Sequence, residues 1–240
     1  MRTELQPAYI LHRRNFRNTS LILEVFTEEY GRIGLVAKGV RTARSKTNGL
    51  LQSFQPLLIS WVGRGELKTL THVEADGYTT ALMGKNFANG FYLNELLFRL
   101  LQREDAHEQI FELYTLTLSN IRDLANSNDT VERALRLFEL KFLQELGYGL
   151  LLEHEADTNS PLDADTDYQY VIEHGPVSVR QIESGIGPIV SGKSLLSLAQ
   201  QDLSEASCLR DCKRIMRYIL KFYLGDQPLQ SRMLYTQGRK

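Results

Sequence analysis

Ser20-Leu21-Ile22-Leu23-Glu24-Val25-Phe26, Glu28-Glu29-Tyr30-Gly31 and Arg32-Ile33-Gly34-Leu35-Val36-Ala37 follow one another almost without a break. The first and third are short and rich in branched and aromatic side chains, which suits pleated strands. The glycine-ended tetrapeptide between them makes a hairpin turn. Upstream of this hairpin, Tyr9-Ile10-Leu11-His12 reads as one more strand. Downstream, a longer run extends from Phe54 to Val62 and another from Glu66 to Val73, joined by the tight Gly63-Arg64-Gly65 turn.

Five short strands in about 75 residues are too many for a flat, exposed sheet, and they predict closure into a five-stranded barrel of the OB type. The spacing alone also fits an SH3-like barrel. After Ala75-Asp76-Gly77 the apolar period lengthens from two towards that of a helix. Phe91 to Leu101, Ile110 to Ile121 and Leu135 to Leu146 predict three helices. The third begins near Asp129 or Thr130, either of which can cap free amides, carries Glu132 in its first turn, and stops at Gly147. Residues 153–165 form an acidic loop, and Tyr168 to Glu173 with Pro176 to Ile182 read as a small hairpin. Ser191 or Ser194 opens a short helix, and Ser204 or Ser207 opens a longer one that reaches Tyr223 and ends at Gly225. The expected class is α+β: a barrel over 1–77, a helical domain over 78–152 and 195–240, and a small insert over 153–194.

Hydrophobic residues make up 42% of the 240-residue chain and charged residues 24%, near the averages for globular domains. No stretch approaches the ~20 consecutive apolar residues that cross a bilayer. Met1-Arg2-Thr3-Glu4-Leu5-Gln6-Pro7 lacks the apolar stretch of a signal peptide, so nothing in it directs the chain out of the cytoplasm. The net charge of −1 averages over a strong segregation. Residues 1–80 carry 11 basic and 7 acidic groups, residues 153–205 carry 2 and 10, and residues 206–240 carry 8 and 2. Between Arg32 and Lys68 there are seven basic residues and a single acid, Glu66. A polyanionic partner follows from this distribution despite the near-neutral total.

Gly187-Pro188-Ile189-Val190-Ser191-Gly192-Lys193-Ser194 satisfies the phosphate-loop pattern G-x-x-x-x-G-K-[ST]. Such a loop must follow a buried parallel strand, with a later apolar strand that ends in a magnesium-binding Asp. The segment before it, Val177 to Ser184, is polar, and no apolar run ending in Asp follows Lys193. Ser191 capping a short helix is the simpler reading. Cys208 and Cys212, four apart on a predicted helix, offer neither a disulfide framework nor a metal site, and read as small buried hydrophobes. His12, His72, His107, His154 and His174 are scattered, and the carboxylates of 153–173 sit in a polar loop where pKa values stay ordinary. No catalytic residue, metal site or cofactor emerges.

Lys38-Gly39-Val40-Arg41-Thr42-Ala43-Arg44-Ser45-Lys46-Thr47-Asn48-Gly49 places four cations among small, hydroxylated or glycine residues without an acid. OB barrels hold single strands with a cationic groove and aromatics on which bases stack. Lys38, Arg41, Arg44 and Lys46 are therefore candidate phosphate contacts, with Arg32, Arg64 and Lys68 extending the same face. Tyr30, Phe54, Trp61 and Tyr78 are the aromatic candidates, each of which also suits a core. On the last long helix Arg210, Lys213, Arg214, Arg217 and Lys221 recur at spacings of three and four, most of them on one face, as a second DNA candidate.

Several of these runs together resemble the RecO family of bacterial DNA repair proteins over nearly the whole chain. The carriers are Ser20 to Arg32, Leu35 to Arg41, Phe54-Gln55-Pro56-Leu57-Leu58, Gly63 to Leu70, Tyr92-Leu93-Asn94-Glu95-Leu96-Leu97, Arg136 to Leu140, Leu146-Gly147-Tyr148-Gly149, and Tyr223-Leu224-Gly225 with Pro228 to Arg232. The resemblance implies an N-terminal OB-fold followed by a helical domain with a zinc-ribbon-like insert. It implies binding of single- and double-stranded DNA, annealing of complementary strands, and cooperation with RecR to load RecA onto strands coated by single-stranded-DNA-binding protein. It also implies that the acidic C-terminal tail of that coating protein docks on the helical domain, with Arg136 as the cation that receives it. Many family members carry four zinc-binding cysteines in the insert, whereas this chain has none between Gly147 and Ser207. The insert is accordingly expected to be metal-free. Asp226, Gln227 and Gln230 stand where the family pattern is more basic, which weakens the case for DNA contact there. The leading expectation is a non-enzymatic DNA-binding mediator. Its competitors are a nucleotide hydrolase using Lys193 and an RNA-binding OB protein, since a cationic groove with stacking does not by itself choose DNA over RNA.

Overall fold

In the computed structural model, which describes residues 2–43, 45–77, 81–123, 128–181 and 187–237, the N-terminal strands are β1 (Arg2–Phe16), β2 (Ser20–Thr27), β3 (Gly31–Ala37), β4 (Leu57–Val62) and β5 (Leu67–Ala75). They close in the order β1-β2-β3-β5-β4, with β4 returning to β1. β3 and β5 run parallel, and the other pairs are antiparallel. This is the five-stranded OB closure, which leaves no free edge. Its interior is filled by Ile10, Leu21, Leu23, Val25, Ile33, Leu35, Leu57, Ile59 and Trp61.

β1 is far longer than Tyr9–His12. It pairs with β4 through its first half and with β2 through its second, and its register slips between Thr3 and Gln6 and again between Ile10 and His12. Bulges bend a strand and break its alternation, so the sequence pattern of a single strand is visible only in its middle. The Ile10 and Leu11 carbonyls near the second slip accept from the side-chain amide of Asn94 at 3.3 and 2.9 Å.

Asn94 lies on α2 (Lys85–Leu100), which with α3 (Glu108–Asp123) belongs to the same compact unit as the barrel, Met1–Asp123 plus Pro228–Lys240. Tyr9 and Phe26, on the barrel's outer wall, pack against Phe111 and Tyr114 of α3, with ring centroids 5.0–6.3 Å apart. The chain returns to this unit at its C-terminus. The Glu95 carboxylate accepts from the backbone amides of Gln230 and Ser231 at 2.8 and 2.9 Å, at the start of α7 (Ser231–Gln237). Amides at a helix N-terminus are unsatisfied and favour a negative charge. The Pro228-to-Arg232 segment thus has a structural task.

The second compact unit, Leu124–Gln227, holds α4 (Asn128–Glu145), β6 (Asp167–Val171), β7 (Gly175–Ser178), β8 (Ile189–Ser191), α5 (Gly192–Ala199) and α6 (Ala206–Leu224). The insert is a three-stranded antiparallel sheet in the order β7-β6-β8, one strand more than the expected hairpin. Tyr168, Tyr170 and Val190 are buried in it, and the Asp163 amide donates to the Tyr168 hydroxyl at 3.0 Å. Among the described residues, no three His, Cys, Asp or Glu gather at a metal-binding distance.

Candidate nucleic-acid interface

The basic loop after β3 is pinned through its first turn. Val40 is 6% exposed and belongs to the barrel core. The next residue donates its backbone amide to the Thr19 carbonyl at 2.9 Å, and its guanidinium Nη1 donates to the Arg17 carbonyl at 3.2 Å. Arg41 therefore ties the loop to the β1–β2 hairpin. Lys38 and Lys46 are both exposed in the same loop, and α1 (Thr47–Leu50) forms inside a segment expected to be loop. Arg44 lies outside the described residues.

The hairpin contributes cations that the sequence reading missed. Because β1 continues to Phe16, it carries Arg13 and Arg14 to the loop, with Arg17 at the tip. A cavity of about 380 Å³ opens there, lined by Arg13, Arg14, Asn15, Leu21, Arg41, Asn48 and Gln52. No carboxylate is among these lining residues. Arg17 sits 5.1 Å from the centroid of the Phe16 ring, so an aromatic is also at hand. The signal lies in the run Arg13-Arg14-Asn15-Phe16-Arg17, whose polarity hides the strand that carries it.

Other expected contacts are placed differently. Arg64 is exposed in the β4–β5 turn. Arg32 donates from Nη1 to Glu24 at 3.0 Å and from Nε and Nη2 to the Leu101 carbonyl at 3.2 and 3.0 Å. Burial pulls its pKa below the usual guanidinium value, and Glu24 opposes that pull. Lys68 is 8% exposed, pairs with Glu104 and reaches the Gly65 carbonyl at 3.3 Å. Arg103 completes the network on the second oxygen of Glu24. Both Arg32 and Lys68 strap the α2–α3 connection onto the barrel, and neither presents a free charge. Gly31 belongs to the same strap: its φ is +62°, and a Cβ there would lie 1.8 Å from the Asp105 carbonyl oxygen. Trp61 and Tyr30 meet edge to face at 5.2 Å, and Phe54 is 5% exposed, packed against Phe87 and Phe91. Those three aromatics are core or near-core groups, and Tyr78 lies outside the described residues.

On α6, Arg210, Arg217 and Lys221 are exposed and carry no ion pair among the described residues, whereas Lys213 pairs with Glu132 at 2.6 Å and Arg214 with Asp211 at 3.2 Å. The opposite face buries Cys208, Cys212, Ile215, Met216 and Ile219. Burial raises the Cys212 thiol to about 12, so it behaves as a hydrophobe. Arg136, the expected receiver of an acidic peptide, is 5% exposed and bonds Glu139 at 2.6 Å in a buried ion pair.

The phosphate-loop pattern has another origin. β8 joins an antiparallel sheet, and Ser191 caps α5 by accepting from the Ser194 amide at 3.2 Å. A Cβ on Gly187 would lie 2.3 Å from the Tyr170 carbonyl oxygen, and one on Gly192 would lie 2.0 Å from that of Asp163. Both glycines let backbone pass backbone. Lys193 is exposed and paired with Glu205.

Residues 1–78 match the family model described as Recombination protein O N terminal, and residues 84–233 match Recombination protein O C terminal. The DNA repair protein RecO of Nitrosococcus oceani is 47% identical over 240 residues, covering 100% of this chain and 96% of the relative. That of Alkalilimnicola ehrlichii is 46% identical over 237 residues, covering 98% and 92%. That of Aromatoleum aromaticum is 46% identical over 236 residues, covering 98% and 96%. With an OB barrel, a following helical region and matches of this extent, the chain belongs to the RecO family, whose role lies in DNA repair and recombination.

Proposed function

We propose that this chain is a recombination mediator without a catalytic step, binding single- and double-stranded DNA at the barrel end where the β1–β2 hairpin meets the basic loop. It anneals complementary strands and helps RecR load RecA onto DNA coated with single-stranded-DNA-binding protein. The observation that carries the reading is the groove of Arg13, Arg14 and Arg41, whose lining includes no carboxylate. Cations held in place without acidic partners keep their full attraction for phosphate, and binding them releases counterions from the strand. Arg210 and Arg217 on α6 supply a second cationic surface in the other unit. Two cationic surfaces on one chain suit a protein that brings two strands together.

The test is binding of a fluorescent single-stranded oligonucleotide over a salt series. The wild type is compared with a variant in which Lys38, Arg41, Arg44 and Lys46 are all Ala. The expected result is lower affinity and a salt slope shallower by about 0.7 for each phosphate that the variant no longer neutralises. An unchanged slope moves the DNA site away from the barrel end.

A further inference from the structure

The groove at the barrel end holds more than a strip of phosphate contacts needs. Its volume of about 380 Å³ falls at the small end of the ~300–1,000 Å³ range of small-molecule sites. That suits one nucleotide and not a stacked run. We propose that it takes a single unpaired nucleotide of a DNA strand, phosphate on the guanidiniums and base edge on the side-chain amides. This rests on the DNA-binding reading above.

The guanidiniums are steadied but not used up. Arg13 donates from Nη1 to the Leu51 carbonyl at 2.9 Å, and Arg41 donates from Nη1 to the Arg17 carbonyl at 3.2 Å. Each guanidinium has five donors in a fixed fork, so most remain for a phosphate. Arg14 is exposed and carries no ion pair among the described residues.

The amides add acceptors that a phosphate cannot use. Asn15, Asn48 and Gln52 all line the groove. Gln52 donates from Nε2 to the Asn48 carbonyl at 3.0 Å, which fixes its side chain and leaves Oε1 as an acceptor. A carboxamide offers a donor and an acceptor side by side, the pattern that matches base edges. Leu21, only 4% exposed, adds an apolar contact suited to the face of a base. Phosphate alone gains nothing from Leu21 or from an amide oxygen. A duplex keeps its bases stacked and paired, so a groove that takes up a whole base receives one only from an unpaired stretch, whereas phosphates reach the arginines from either form.

The experiment compares a fluorescent single strand with the same strand annealed to its complement, at one salt concentration, using the full chain. The Asn48→Ala/Gln52→Ala variant is expected to lose roughly tenfold in single-strand affinity, the worth of one good base-edge contact, with duplex affinity unchanged. The Arg14→Ala/Arg41→Ala variant is expected to weaken both. If the amide variant leaves the ratio of single-strand to duplex affinity at its wild-type value, the groove does not read bases and the inference fails. The DNA-binding reading then still stands, provided the arginine variant weakens both forms. If the arginine variant changes neither, the barrel end is not the DNA site and both readings fall. Asn48→Ala alone, at an exposed position, repeats the test should the double variant lower the urea midpoint.

Discussion

Arg32 and Arg41 lie in the same basic stretch of sequence, yet the structure gives them opposite tasks. Arg32 is held by the Glu24 carboxylate and the Leu101 carbonyl, with its side chain 14% exposed. Arg41 is exposed, its side chain bonded to a neutral carbonyl, and it lines a groove without a carboxylate. Glu24 is the difference: it belongs to a strand whose every residue is buried, and it collects Arg32 and Arg103. A cation next to a buried carboxylate becomes structure, while one without remains available to a polyanion.

The sharpest way to break this contrast is Arg32→Ala. The change removes one of the two cations on the buried Glu24 carboxylate and both donors to the Leu101 carbonyl, while Arg103 stays on Glu24, and it costs about 2 kcal/mol. Urea unfolding should show that loss in the midpoint, while the salt slope for single-stranded DNA stays at the wild-type value. A shallower slope with unchanged stability would invert the assignment and make Arg32 a DNA contact.

The complementary change is Arg14→Ala/Arg41→Ala. Both side chains are exposed, the backbone bond from Arg41 to Thr19 survives the change, and the exposed bond to the Arg17 carbonyl is the one lost, so stability should change by no more than about 0.5 kcal/mol. The salt slope should fall by about 1.4, the worth of two phosphates on a single strand. If the urea midpoint drops instead, Arg41 is a structural strap like Arg32 and the contrast dissolves.

The same contrast separates what is legible in the sequence from what is not. The β2–turn–β3 hairpin is legible because each strand keeps its pattern unbroken to a glycine-ended turn, and the α2–α4 helices because their apolar stripes recur over three or more turns. β1 is legible only in part, since its two register slips interrupt the pattern. The fates of Arg32 and Lys68 are not legible at all: the chain shows a charge but not its partner, and Glu104 is 36 residues from Lys68 while Arg103 is 79 from Glu24. Arg13 and Arg14 escape notice for the related reason that their role depends on where the bulged strand ends. Arg136 looks like a surface cation in the sequence, and only packing shows that Glu139 holds it inside.

The same distinction on α6 predicts a smaller effect. Lys213 is tied to Glu132, with side chains 34% and 28% exposed. Partly exposed pairs are worth about 0.2–1 kcal/mol. Lys213→Ala should lower stability by about 0.5 kcal/mol and leave the salt slope alone, whereas Arg217→Ala should leave stability alone and make the slope shallower. A slope that falls equally in both variants would mean that the Lys213–Glu132 pair opens to receive DNA.

Lys193→Ala carries the smallest expected effect. In a phosphate loop this lysine would reach a nucleotide, and its loss would abolish nucleotide-dependent stabilisation. Here it sits on the surface against Glu205, which raises its pKa through a hydrogen bond and has its own pKa lowered in turn. The glycines around it are explained by the carbonyls of Tyr170 and Asp163 that they pass. Thermal unfolding with and without ATP and magnesium should therefore show no shift for the wild type and none for the variant. A shift in the wild type that vanishes in the variant would restore the hydrolase reading. It would also show that a motif can bind phosphate from an antiparallel strand, without the parallel sheet that normally aims it.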